Sequence, residues 1–149
     1  MALNRSTALK NKLLDTGSFK SIFALCFINI YSGTRPASAD DAVPANAVLL
    51  ATISVDGGAT GLSWDTAAAS GALLKAQDEV WQEDSILATG VASWFRIYEA
   101  TDTPANASST KARADGTVGT SGADLDLNSV NLTIGAPLTL TDATQFTMS

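Results

Sequence analysis

A chain of 149 residues, 46% of them hydrophobic, is the size of one domain with a core of its own. Only 16% of residues are charged, the net charge is −6 and there is no histidine, which removes the commonest general base and metal ligand. An acidic chain without a Lys/Arg stripe is a poor match for nucleic acid, and its longest nearly unbroken apolar stretch, residues 22–31, is about half the ~20 needed to cross a bilayer. Neither nucleic acid nor membrane is therefore expected as a partner.

From the start of the chain, Ser6 or Thr7 caps a short helix through about Asp15. Leu3, Leu9, Leu13 and Leu14 give it a partly apolar face, and Thr16-Gly17 ends it. A second, shorter turn of helix follows Ser18. Over residues 1–35, Arg5, Lys10, Lys12, Lys20 and Arg35 face only Asp15, a net of +4, whereas the remainder nets −10. A basic segment beside an acidic body suits docking on an acidic protein surface, although a solvated amphipathic helix has the same composition. The expected division is a helical arm over residues 1–24, reaching to a neighbour, and a β body over residues 25–149.

The stretch Ile30-Tyr31-Ser32-Gly33-Thr34-Arg35-Pro36-Ala37-Ser38-Ala39-Asp40 admits two readings. As an export signal, Lys10, Lys12 and Lys20 lead into the apolar run Ile22 to Ile30, and Ala37-Ser38-Ala39 is the cleavage site before a mature Asp40. As structure, Leu25 to Tyr31 is a buried strand, Ser32-Gly33 breaks it, and Pro36 starts an extended turn. The second reading is favoured because twenty residues make a long basic lead-in and Asn29 interrupts the apolar run. Everything before Asp40 is then expected to stay in the fold, with the lone Cys26 as a small buried hydrophobe.

Strand patterns follow over Ala47 to Val55, stopped by Asp56-Gly57-Gly58, and over Thr60 to Trp64; residues 66–72 read as loop or a brief helix. Val91 to Glu99 is the clearest strand, with Val91, Ser93, Phe95 and Ile97 on one face and Ala92, Trp94, Arg96 and Tyr98 on the other. Aromatics on both faces mean that both are covered, by the chain itself or by a neighbouring subunit. Thr101 to Lys111 reads as an exposed loop and Asp115-Gly116 as a turn. Strands resume over Asp124 to Asn128, Val130 to Ile134, Leu138 to Leu140 and Gln145 to Met148. About eight to ten short strands at this spacing predict a mainly β fold, a β-sandwich or jelly roll with a short helical N-terminal arm.

The residues offer little catalytic chemistry. Asp124-Leu125-Asp126-Leu127-Asn128 alternates like a strand and lacks the glycine and glutamate of a calcium loop. Asp78, Glu79, Glu83 and Asp84 surround Trp81, as a sugar-hydrolysing acid pair would, but such a run more often marks a solvated loop. No catalytic, cofactor or metal residue is assigned, and no enzyme activity is expected. The candidates for assembly contacts are Leu9, Leu13, Lys10, Lys12 and Lys20 on the arm, and Tyr31, Arg35, Trp81, Trp94, Arg96 and Tyr98 on the body, since Trp, Tyr and Arg are enriched at interface hot spots.

In the order Ile30-Tyr31-Ser32-Gly33, Pro36-Ala37-Ser38-Ala39-Asp40 and Leu49-Leu50-Ala51-Thr52-Ile53, continuing through Trp81, Gly90, Trp94-Phe95-Arg96 and Asp115-Gly116-Thr117-Val118-Gly119, the chain resembles a group of small virion structural proteins of tailed bacteriophages. It departs from that pattern before Leu49-Leu50, where Asn46 or Ala47 replaces the usual glycine. The resemblance implies a non-enzymatic virion protein, first a capsid cement or decoration protein on the outer head surface that bridges major capsid subunits and contacts copies of itself. A tail or head–tail connector component is the alternative, and an exported bacterial surface or adhesion domain, cleaved after Ala39, is a further one.

Overall fold

The computed structural model describes residues 3–147. In chain order they form β1 (Asn4–Arg5), α1 (Thr7–Asp15), α2 (Phe19–Ile22), β2 (Phe27–Tyr31), β3 (Leu49–Val55), β4 (Ala72–Leu74), β5 (Trp81–Glu83), β6 (Gly90–Val91), β7 (Trp94–Tyr98), β8 (Arg113–Gly119), β9 (Leu125–Asp126), β10 (Asn131–Leu132), β11 (Leu138–Thr139) and β12 (Gln145–Thr147). The fold is mainly β, consistent with a β-sandwich. The last strand was expected to run to Met148, which lies outside the described residues.

Alternation along β2 organises the main sheet. Its order is β1-β8-β7-β2-β3-β5-β11, with β9 alongside β8 as the parallel pair. Ile28 sits opposite Ile97 on β7 and Ile53 on β3, and Ile30 opposite Phe95 and Ala51, so one face is a band of fully buried apolar side chains. Each such side chain contributes about 1.5–3 kcal/mol when fully buried. Leu9 of α1, Phe23 after α2, Leu73 of β4, Leu132 of β10 and Phe146 of β12 join the same core. Trp64 gathers much of it, packing edge-on against Phe19, Trp81 and Phe146 with ring centroids 5.2–5.7 Å away.

The N-terminal helix forms where the sequence places it, but it is no free arm. Ser6 Oγ accepts from Leu9 N–H at 3.2 Å as the N-cap of α1; it also accepts from Arg113 N–H at 2.9 Å and donates to the Lys111 carbonyl at 3.0 Å. β1 lies on β8 with Asn4 opposite Asp115, and Leu3, Leu9 and Phe23 are core residues. Residues 3–24 thus belong to the body, which corrects the expected boundary at residue 24. Leu9 and Leu13 of α1 pack against the core of the same chain, while Leu14 is exposed.

Three further expectations change. Asp115-Gly116 lies in the middle of β8 instead of at a turn: Asp115 faces Arg96 across the strands, and Gly116 lies under Phe95, whose ring carbons would be 2.6 Å from any Cβ placed there. Thr60 to Trp64 contributes only the bridges Cys26–Leu62 and Trp64–Lys75 instead of a strand. Within the acidic stretch around Trp81, residues 81–83 form strand β5 with Trp81 fully buried, while Asp78 and Asp84 stay exposed outside it.

Candidate functional site

The second face of the main sheet is polar and almost sealed. On β2, β7 and β8 the side chains opposite the apolar band are Asn29, Tyr31, Trp94, Arg96, Tyr98, Arg113 and Asp115, all buried. Arg96 reaches both Asp115 oxygens, Nε to Oδ1 at 2.7 Å and Nη2 to Oδ2 at 2.8 Å. Its remaining Nη1 donates to the carbonyls of Asp41 at 3.1 Å and Pro104 at 2.8 Å. Arg113 makes the same fork on Asp102 at 2.7 and 2.9 Å and donates to the carbonyls of Thr103 and Ala39. A buried guanidinium needs every donor matched, and here the matches pull residues 39–41 and 102–104 down over the sheet.

The aromatic half of this face is also joined by hydrogen bonds, although the buried Trp94 Nε1 has no partner among the described residues. Tyr31 stacks on Trp94 with centroids 4.3 Å apart, and the Arg96 guanidinium lies 5.8 Å from the Trp94 ring. Asn29 Oδ1 accepts from the hydroxyls of Tyr98 at 3.1 Å and Thr52 at 2.9 Å, while its Nδ2 donates to Tyr31 Oη at 3.1 Å. Burial pushes both phenols above their ordinary value. It also pushes the Asp115 carboxyl up, with the bond from Arg96 opposing the shift. Cys26, fully buried, is likewise raised by desolvation and is not a reactive thiolate.

This geometry redistributes the candidate contact residues. Leu9, Tyr31, Trp81, Trp94, Arg96 and Tyr98 are buried within the chain itself, so they present no free surface to a partner. The covering that strand β7 called for on its second face comes from the chain's own segments around Asp41 and Pro104. Lys10 is exposed, and Leu13 and Arg35 are half-buried. Lys12 pairs with Glu99, and Lys20 Nζ donates to the carbonyls of Asp65 at 2.6 Å and Thr66 at 2.8 Å. Two of the basic residues expected to face a neighbour therefore fasten the N-terminal segment to its own body.

The acids near Trp81 are similarly engaged. Glu79 accepts from Trp81 Nε1 and from Ser63 N–H, each at 2.9 Å, and Glu83 accepts from Thr52 N–H at 3.0 Å. Among the described residues, no group of three or more His, Cys, Asp or Glu is placed to hold a metal ion. Asp102, Asp115 and Arg113, which with Arg96 build the second face, were not singled out from the sequence. The signal was Arg96 itself: an arginine on the aromatic face of a two-sided strand demands carboxylates opposite it.

Among the described residues the exposed large apolar side chains are Leu14, Leu25, Val48, Val80, Leu87, Val91 and Ile134, of which Val48, Leu87, Val91 and Ile134 are about half exposed, at 48, 50, 56 and 62%. Compared with known proteins, the chain matches no family model, and neither a curated protein nor a solved structure is similar to it.

Proposed function

We propose that this is a non-enzymatic structural protein of a phage particle, acting as a cement or decoration protein on the outer surface of the capsid. The observation that carries the reading is the place of residues 30–40, the segment on which the resemblance begins. Ile30 and Tyr31 lie in β2, flanked by β7 and β3 in the main sheet. Gly33 turns the chain at φ +81°, and its α-carbon packs so closely on the Asn46 carbonyl that a Cβ would lie 2.4 Å from that oxygen. Pro36 and Ala39 are buried, with Ala39 O under Arg113. The segment works as a strand-to-turn joint, and cleavage after Ala39 would remove a central strand, which weighs against an exported adhesion domain.

A rigid β body of this kind stabilises a shell by binding its assembled state alone. Any ligand selective for one state shifts the equilibrium toward it, and many copies on a lattice add weak contacts into a large total. The acidic exterior keeps crowded copies apart in solution. The test is made on heads from phage with and without the reading frame: loss of the protein lowers the temperature at which heads rupture, and added protein co-sediments with heads but not with dissociated shell subunits. Equal rupture temperatures with no co-sedimentation would overturn the proposal; binding confined to tails or connectors would move the protein to that part of the virion.

A further inference from the structure

Beside α2 the surface opens into an apolar groove of about 350 Å³, near the small end of the range of small-molecule sites, about 300–1,000 Å³. Phe19 of α2, Leu73 of β4 and Phe146 of β12 form its walls, the last two as register partners. Trp64 fixes both rings from behind, edge-on to Phe19 and to Phe146 at 5.7 Å each. Small residues keep the groove open: Ala68 is exposed, and at Gly71, where φ is +75°, a Cβ would meet no atom within 4 Å. The polar side chains on its lining are Ser18 and Lys20. Ser18 is spent as the cap of α2, accepting from Ser21 N–H at 3.1 Å. Lys20 Nζ gives two of its three protons to the carbonyls of Asp65 and Thr66, and among the described residues it makes no ion pair.

We propose that this groove binds a small amphiphile with one anionic head, of the class of medium-chain alkyl carboxylates. The alkyl body lies between Phe19, Leu73 and Phe146, and the carboxylate takes the third proton of Lys20. Size and charge choose this occupant. A concave apolar site of this volume takes the body of one small molecule. A neutral apolar molecule leaves the ammonium without its charge-assisted bond, and a cationic head is repelled by it. An acidic peptide brings further carboxylates against a body that nets −10 outside residues 1–35, whereas a single carboxylate brings one. The site does not depend on the particle reading.

The experiment is isothermal titration calorimetry of the full chain with octanoate, with octanol as the same tail without the charge and acetate as the charge without the tail. Octanoate binds roughly tenfold or more tightly than octanol, and acetate shows no saturable binding. Ala68→Phe, at an exposed loop position, fills the groove and abolishes octanoate binding with an unchanged circular dichroism spectrum. Lys20→Met lowers the affinity for octanoate to that for octanol. Lys20→Arg keeps it, which covers the case in which losing the two carbonyl contacts loosens α2. A wild type without saturable octanoate binding, octanol that binds as tightly as octanoate, or an Ala68→Phe protein that binds as the wild type does would overturn the proposal. Octanoate binding that appears only in Met148→Ser would give the groove to the chain's own end, two residues beyond Phe146, and would overturn it as well. None of these results bears on whether the protein binds heads.

Discussion

Arg96 and Asp115 are register partners on β7 and β8, and they close a two-point fork with both side chains fully buried. Removing one partner of such a pair leaves an uncompensated charge in the interior, at a cost of about 3–5 kcal/mol. Asp115→Asn is therefore expected to lose about 3 kcal/mol at neutral pH by urea unfolding. Burial holds the folded Asp115 carboxyl above the ordinary carboxylate value. Between the unfolded value of about 3.9 and that higher one, the folded chain binds more protons than the unfolded chain, so stability through this group falls as pH rises. Asparagine lacks the titration, so the deficit of the variant narrows as pH rises above about 4. A deficit that widens over the same range contradicts the assignment.

The chain has only two tyrosines, Tyr31 and Tyr98, and burial raises both. A phenol raised in the fold is protonated when folded and ionises on unfolding, so its contribution is complete below about pH 10 and lost as pH climbs beyond it. Absorbance at 295 nm is expected to show no phenolate near pH 10 while circular dichroism remains native, then to rise together with unfolding. An independent ionisation step near pH 10 in the native protein would mean that this face is open to water.

Ser6 makes three hydrogen bonds, one as helix cap and two to the backbone around Arg113. Ser6→Ala leaves buried backbone groups without partners and costs about 2 kcal/mol. A loss near zero would indicate that the N-terminal segment detaches easily, as a free arm would.

Gly116 and Gly58 separate strand from turn. Gly116→Ala places a methyl group against the Phe95 ring at 2.6 Å and is expected to cost about 1–3 kcal/mol. At Gly58 the nearest atom is Val55 O at 3.5 Å, so Gly58→Ala is expected to be neutral or slightly stabilising. Equal effects in thermal unfolding would contradict the position of Gly116 under the ring.

These residues also show what could be read from the sequence and what could not. α1 was legible because its cap, apolar spacing and stop are local, β2 and β7 because β-branched and aromatic residues dominate them, and β3 because an apolar run is closed by the Asp56-Gly57-Gly58 turn. β8 was hidden because Arg113, Asp115, Gly116 and Gly119 are poor strand formers. Its pairing comes from distant partners, Arg96 across the ladder, Phe95 above Gly116 and Ser6 at its start. The destination of the N-terminal helix was hidden for the same reason, since an amphipathic helix shows that it has a partner but not whether that partner is in its own chain. The candidate contacts followed suit: the large aromatics and arginines typical of hot spots are equally typical of a buried polar face.

Quantitative mass spectrometry of particles purified from the phage lysate tests the central claim most directly. The account predicts this chain in the particles at a copy number near that of the major shell protein, with peptides from residues 3–39 as abundant as those from the rest. Particles that lack the chain, or a particle-bound chain that begins at Asp40, would contradict it.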